Sequence, residues 1–267
     1  CVSAGPISVD VGRVHYDGWR FVSDTPNGRR DLRPGGVAWM IGAGGPMGQM
    51  HVQRALSLPN PPRRIVATDR HDHRLAALVE RNAEVARARG VDLVVVNVRT
   101  APFDPKDHAP DGYDDIVVMV PDIAAVEGAW KCLADSGVLN VFAGVARGTT
   151  ARLDLADVAT RNVRVVGTSG SRIADMVAVL EKTAEGSLDT QASLAAIGGM
   201  EAFRDGLEAV RSSRFPGKTV IFPHLSNLPL TGLEGLESIR PDVANRLRPG
   251  GLWSRAAESR LLEGADV

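Results

Sequence analysis

The sequence predicts an α/β chain, a doubly wound parallel sheet of six strands with helices on both faces. Three observations carry that expectation. Short apolar runs alternate with amphipathic stretches of helical period across residues 37–185. The runs are apolar nearly throughout, the pattern of strands covered on both faces. The first run opens into Gly42-Ala43-Gly44-Gly45-Pro46-Met47-Gly48, a glycine turn between a strand and a helix.

The first strand is Val37-Ala38-Trp39-Met40-Ile41. A Cβ at the turn would block both the tight backbone and the approach of a pyrophosphate, so Gly42, Gly44, Gly45 and Gly48 suit a phosphate ligand. Pro46 fits the first helical turn, where its missing N–H costs nothing, which leaves Met47 and Gly48 as donors to an anion. The usual third glycine would stand at Met47. Taken as Gly42-x-x-Gly45-x-x-Gly48, the turn instead matches a variant spacing found among reductases of the same fold. About twenty residues beyond Gly48, the second strand, 65–68, ends at Asp69, where a carboxylate can hold an adenosine ribose.

A helix over 72–89 follows, with Leu75, Leu78, Val79, Val85 and Ala86 at helical spacing and Gly90 as its stop. Residues 91–98 form a third strand, and 100–112 a Pro- and Asp-rich loop. A fourth strand over 115–120 ends at Pro121. The next helix, 123–135, presents Ile123, Val126, Trp130 and Leu133, and Gly137 closes it. Strands over 138–143 and 163–167 and a helix over 172–185 complete the doubly wound dinucleotide (Rossmann) fold. Residues 1–34 are expected to be a connector with little core, 35–187 the Rossmann domain, 188–225 a return segment and 226–267 a polar tail. Short helices are expected in the tail over 233–239, 241–247 and 253–262.

Composition sets bounds. Lys plus Arg (31) balance Asp plus Glu (32), so no global field argues for nucleic acid or an anionic membrane. Two cysteines rule out a disulfide scaffold and suit a reducing cytosol, so a cytoplasmic location is expected. No run reaches membrane-spanning length and no signal peptide is visible. The chain opens on Cys1 rather than Met and is expected to be processed, trimmed or a fragment.

The wording Leu32-Arg33-Pro34-Gly35-Gly36 and Gly42 through Gly48-Gln49-Met50-His51 resembles the sorbitol and L-sorbose-1-phosphate reductase branch of the medium-chain, zinc-type alcohol dehydrogenases. Gly199-Met200-Glu201-Ala202-Phe203, through Ala209 to Gly217-Lys218-Thr219-Val220-Ile221, is similar to that family's return into its catalytic domain. The resemblance covers roughly residues 32–223. It implies a cofactor-binding part whose N-terminal catalytic domain, with its zinc ligands, is missing, so zinc belongs to the parent and not to this chain. Cys1-Val2-Ser3-Ala4 is similar to the segment after the family's Glu-Pro junction, and the chain alone is expected to bind cofactor without turnover. It further implies an NAD-dependent oxidoreductase, with a small polyol or sugar-phosphate substrate for the parent.

Carried onto residues, the resemblance gives Asp69 the ribose hydroxyls of NAD and Arg74 a basic contact to the same ribose. Arg70, directly after the acid, could meet a 2′-phosphate, so NADP stays open; the alternative for both arginines is exposed charge at a helix start. Val120-Pro121, Ala143-Gly144 and Thr168-Ser169 end strands and are expected to flank the nicotinamide half, against ordinary loop punctuation. His71 and His73 read as charged surface rather than a metal pair, His51 as a packing residue, and Cys132 as a buried free thiol. Ser169-Gly170-Ser171 lacks a partnered His and Asp for nucleophilic catalysis.

A different class shares several of these signals. Methyltransferases that use S-adenosylmethionine have a glycine turn, an acid ending the second strand, and an Asp-rich fourth strand such as Tyr113-Asp114-Asp115. They carry an acid before the first glycine, where this chain has Trp39-Met40-Ile41. A module that binds NAD without turnover is the third reading. Self-association as a homo-oligomer is expected through the sixth strand, Arg161-Asn162-Val163-Arg164-Val165-Val166, an apolar edge that the polar tail would otherwise cap. Apolar surface around 197–203 and 220–222 would add to it.

Overall fold

A computed structural model describes residues 5–23, 31–167, 169–170 and 172–263. It divides into two compact units, Cys1–Leu180 and Glu181–Val267. The first unit opens with β1 (Ile7–Asp10) and α1 (Val11–Tyr16), then β2 (Val37–Ile41), α2 (Pro46–Leu56), β3 (Arg64–Asp69), α3 (Asp72–Ala88), β4 (Asp92–Asn97) and α4 (Pro105–His108). It continues through β5 (Tyr113–Val118), α5 (Ile123–Trp130), β6 (Leu133–Val141), β7 (Thr150–Leu153), α6 (Ala156–Thr160) and β8 (Arg164–Val166) to α7 (Ile173–Ala184), within which the division falls. The second contains β9 (Leu194–Gly199), α8 (Phe203–Arg211), β10 (Lys218–Phe222), β11 (Thr231–Gly232), α9 (Leu236–Ile239), α10 (Pro241–Ala244) and α11 (Arg255–Leu262).

Six strands form one sheet in the order β4-β3-β2-β5-β6-β8, every pair parallel. The order reverses at β2 and β5, which places the crevice between their carboxyl ends. Alternate residues of each strand serve opposite faces. Ala38 and Met40 pack with Val52, Ala55 and Leu56 of α2 and Leu78 of α3, whereas Val37 and Trp39 pack with Val126, Ala129 and Trp130 of α5. The expected six-stranded doubly wound sheet is present.

Several expectations are corrected. Residues 7–16 are not a connector without a core: Val9, Val11 and Val14 are buried in the main cluster, and β1 pairs antiparallel with β7. On α3, Leu75, Leu78 and Ala86 are buried, but Val79 and Val85 are exposed and the polar Asn82 is buried in their place. Its amide donates to the Leu78 carbonyl at 2.9 Å, which makes that burial tolerable. The helix expected over 123–135 stops at Trp130, because Leu133 already pairs with Tyr113 at the start of β6. A register shift between Tyr113 and Asp115 and a positive φ at Ser136 absorb the extra length.

The edge strand β8 is not bare. The Val165 N–H and C=O exchange hydrogen bonds of 3.0 and 3.1 Å with Phe21, so its outward backbone groups are satisfied within the first unit. This removes the argument for edge-to-edge pairing at the middle of that strand. Asp114 and Asp115 also have structural work. Asp114 takes the Arg33 guanidinium and the Val37 N–H, and Asp115 accepts from the Arg33 N–H, which pins residues 33–37 at the entrance of β2.

In the second unit, β9 lies between β10, parallel to it, and β11, antiparallel. The short tail helices lie close to where the sequence puts them, but the segment is more than a solvated face. Leu236, Val243, Trp253, Ala257 and Leu261 form one buried cluster with Leu194 and Ile197. Ile197 is therefore interior, while Met200, Phe203, Leu207 and Val210 are exposed. Ser254 caps α11, accepting from the Ala257 N–H at 2.9 Å. Ser254→Ala is expected to lower the stability of this unit by about 1 kcal/mol, measurable by thermal unfolding. No change would mean that the tail does not contribute to a cooperative core.

Candidate cofactor cleft

The glycine turn between β2 and α2 makes four distinct demands. Gly42 holds φ +84°, and a Cβ there would come within 2.7 Å of the Val120 side chain. At Gly44 a Cβ would press on the Asp69 carboxylate and Arg74 at 2.9 Å. At Gly48 it would strike the Gly42 carbonyl oxygen at 2.4 Å and the Ala43 Cα at 2.5 Å, so this glycine lets α2 close on the strand end. Gly45 differs, because its nearest neighbours would be at 3.6 and 3.9 Å. The protein itself leaves room for a side chain there. Pro46 is the first residue of α2 with Gly45 as its N-cap, as expected, so the first amide donors of the helix are Met47 and Gly48.

Asp69 ends β3 with its side chain only 9 % exposed. One oxygen accepts the Gly44 N–H at 3.0 Å; the other accepts the N–H groups of Arg70 and His71, at 2.7 and 3.2 Å, and faces His71 Nδ1 at 3.0 Å. Its orientation is thus fixed from the turn and from the start of α3. Arg74 lies against the turn beside Gly44 and Asp69. Burial pulls its guanidinium below the ordinary range and Asp69 partly offsets this, while its Nε is buried without a partner. Arg70 also borders the cleft: its side chain is 69 % exposed and reaches Asp122, another lining residue, at 3.5 Å.

Two cavities lie along the carboxyl ends of the strands. The first, about 680 Å³, is lined by Gly42, Gly45, Asp69, Arg70, Arg74, Val120 and Pro121 among others, with an apolar wall from Ala124, Ala125 and Gly128 of α5. The second, about 610 Å³, is lined by Met47, Pro121, Ala143, Gly144 and Ser169 together with His15, Met119 and Phe142. Pro121 and Met119 belong to both, so the two form one continuous trough. Of the residues singled out from sequence, Gly44, Pro46 and Gly48 shape the turn behind the trough, and Thr168 lies outside the described residues.

Sequence reasoning missed His15, Met119 and Phe142, and it read His71 only as charged surface. His71 sits at the N-cap of α3, just before the helix, where its ring can fold back on Asp69. His15 comes from the segment taken for a connector, and no motif marks it. Its Nδ1 lies 3.3 Å from the Val141 carbonyl, which can only accept, so Nδ1 donates there and, in the neutral ring, Nε2 is left as an acceptor. His51 packs edge-on to Phe142 at 4.6 Å and burial lowers its proton affinity, in keeping with a packing role. At Cys132, half-buried behind α5, burial and Asp104 push the thiol up, which makes it a poor nucleophile. Among the described residues, no three His, Cys, Asp or Glu side chains converge at metal-binding distance, and no helix is long and apolar enough to cross a membrane.

A doubly wound sheet with a glycine turn at its switch point and an acid ending the next strand defines a Rossmann domain of the dinucleotide-binding type. No family model matches the chain. It is 30 % identical over 283 residues to mannitol-1-phosphate 5-dehydrogenase of Aliivibrio fischeri, covering 99 % of this chain and 65 % of that protein. It is 29 % identical over 266 residues to L-sorbose 1-phosphate reductase of Klebsiella pneumoniae, covering 98 % of this chain and 63 % of that protein. The chain thus spans somewhat less than two thirds of these curated relatives. Its fold matches the crystal structure of an NAD-dependent alcohol dehydrogenase with a TM-score of 0.52 at 23 % identity, over 72 % of this chain and 52 % of that one. In sequence the chain is similar to these two curated proteins, and its fold is the one seen in a solved NAD-dependent alcohol dehydrogenase.

Proposed function

We propose that the chain is the NAD-binding part of an oxidoreductase that transfers hydride between nicotinamide and a polyol or sugar phosphate. The observation that carries this is the Asp69 carboxylate, oriented from both sides at the mouth of the cleft and backed by Arg74. Two features fit a dinucleotide in particular. Gly45 has no neighbour of its own that a Cβ would strike, so a group lying against it accounts for the glycine. The buried, unpartnered Nε of Arg74 accounts for a polar ligand in the same cleft.

On this reading Asp69 accepts from the adenosine ribose hydroxyls, Met47 and Gly48 offer N–H groups to the pyrophosphate, and the α5 wall takes the adenine. The nicotinamide end lies among Met119, Phe142, Gly144 and Ser169, with His15 Nε2 as an acceptor for a ribose hydroxyl or the carboxamide. The cofactor, when bound, supplies reversible hydride transfer at its nicotinamide ring; the chain binds, orients and shields it from water. NAD is favoured over NADP, because the fixed carboxylate of Asp69 opposes a 2′-phosphate and Arg70 is turned toward Asp122.

Calorimetric titration of the purified chain with NAD, NADP and S-adenosylmethionine tests this. NAD is expected to bind most tightly and S-adenosylmethionine not at all. Binding of S-adenosylmethionine without NAD would reassign the cleft to methyl transfer, and tighter binding of NADP would hand the ribose site to Arg70.

A further inference from the structure

Beyond Ser169 and Gly170 the trough continues into a smaller cavity of about 200 Å³, lined also by Tyr16, Asp17, Gly18, Arg20, Arg172 and Asp175. We propose that this cavity receives the phosphate of a phosphomonoester substrate, with the guanidinium groups of Arg20 and Arg172 as its ligands. On the oxidoreductase reading above, the reacting carbon of the same molecule then lies in the adjoining cavity beside the nicotinamide.

The charges around the cavity separate into engaged and unengaged groups. Asp17 is held by Arg147 at 2.8 Å and by Arg13 at 3.7 Å. Asp10 takes Arg13 and the Gly148 N–H. Asp175 accepts the Arg172 N–H at 3.0 Å and sits in the first turn of α7, where the helix dipole favours an acid. Among the described residues, neither the Arg20 nor the Arg172 side chain has a carboxylate partner. The cavity lining thus holds two carboxylates, Asp17 and Asp175, that are engaged by other groups, and two guanidinium groups, Arg20 and Arg172, that no carboxylate engages among the described residues.

Guanidinium forks match the oxygens of a phosphate, and the Ser169 and Gly170 backbone alongside leaves room for an anion. A neutral polyol offers these arginines nothing of comparable strength. Tyr16 lines the small cavity, with its hydroxyl close against Gly144 of the adjoining one. Its ring meets His15 edge-on at 4.7 Å and lies under the Arg147 guanidinium at 5.0 Å, so its position is braced from both sides.

The test uses the purified chain, titrated with mannitol 1-phosphate, mannitol and inorganic phosphate, each with and without saturating NAD. Mannitol 1-phosphate is expected to bind and mannitol not. Inorganic phosphate should compete with the ester. Arg20→Gln and Arg172→Gln should each weaken the ester roughly tenfold to a hundredfold while NAD affinity stays within about twofold. Equal affinity for mannitol and its phosphate, no binding of the ester, or variants that bind it like the original chain would overturn the site. If the ester binds through these arginines but NAD does not bind at all, the phosphate site stands and the oxidoreductase reading fails.

Discussion

Asp69→Ala is expected to weaken NAD binding by roughly ten- to a hundredfold and to narrow the gap between NAD and NADP. Hydrogen bonds to a charged acceptor contribute about 1.5–3 kcal/mol, and the carboxylate is also what repels a 2′-phosphate. The same oxygens accept the Gly44, Arg70 and His71 N–H groups, so the variant also loosens the turn. Asp69→Asn separates the two effects: it keeps an oxygen acceptor but loses the charge, so NADP should gain on NAD even where the unliganded protein melts unchanged. Unaltered cofactor preference in both variants would remove Asp69 from the ribose site.

Gly48→Ala is expected to destabilise the first unit by about 2 kcal/mol. Alanine gains about 1 kcal/mol over glycine in a helix, yet here the added methyl meets backbone on two sides, and neither the Gly42 carbonyl nor Ala43 can swing aside. The helix must back away from the strand end, so the melting temperature should fall and cofactor affinity with it. Gly45→Ala is the counterpart. Its methyl meets only ordinary contacts, so stability should hold while NAD binding weakens. If both variants behave alike, the glycines serve one purpose rather than two.

The contrast between Gly45 and Gly48 also marks how far the sequence could be taken. A glycine turn, its strand, its helix and the distant acid are local signals, and residues 37–69 follow them closely. The failures occur where distant partners decide. Leu133 has the spacing of a helix residue with Ile123, Val126 and Trp130, but pairing with Tyr113 outweighs that period. Val9, Val11 and Val14 stand among Gly, Asp and Arg, and only their partners across the sheet make them core. In the tail, Leu236, Val243, Trp253 and Leu261 are too widely spaced among charged residues to announce a shared interior. Asp69 was visible because a strand end and a count of residues define it. His15 was not, because its place in the trough depends on the contact of α1 with Val141, which no spacing encodes.

The antiparallel pairing of Ile7 with Leu153 and of Asp10 with Thr150 carries a temporal consequence. A ribosome meets the first of these segments long before the second. At roughly 5–20 residues per second the early strand waits something like 7–30 s for its mate, with Val9, Val11 and Val14 bare to solvent. Closing so long a loop is entropically costly, so this pairing forms late, once the parallel strands between have assembled a surface to receive it. Because α1 carries His15 and Tyr16, the far end of the trough is completed by residues made ahead of the whole parallel sheet and among the last to dock.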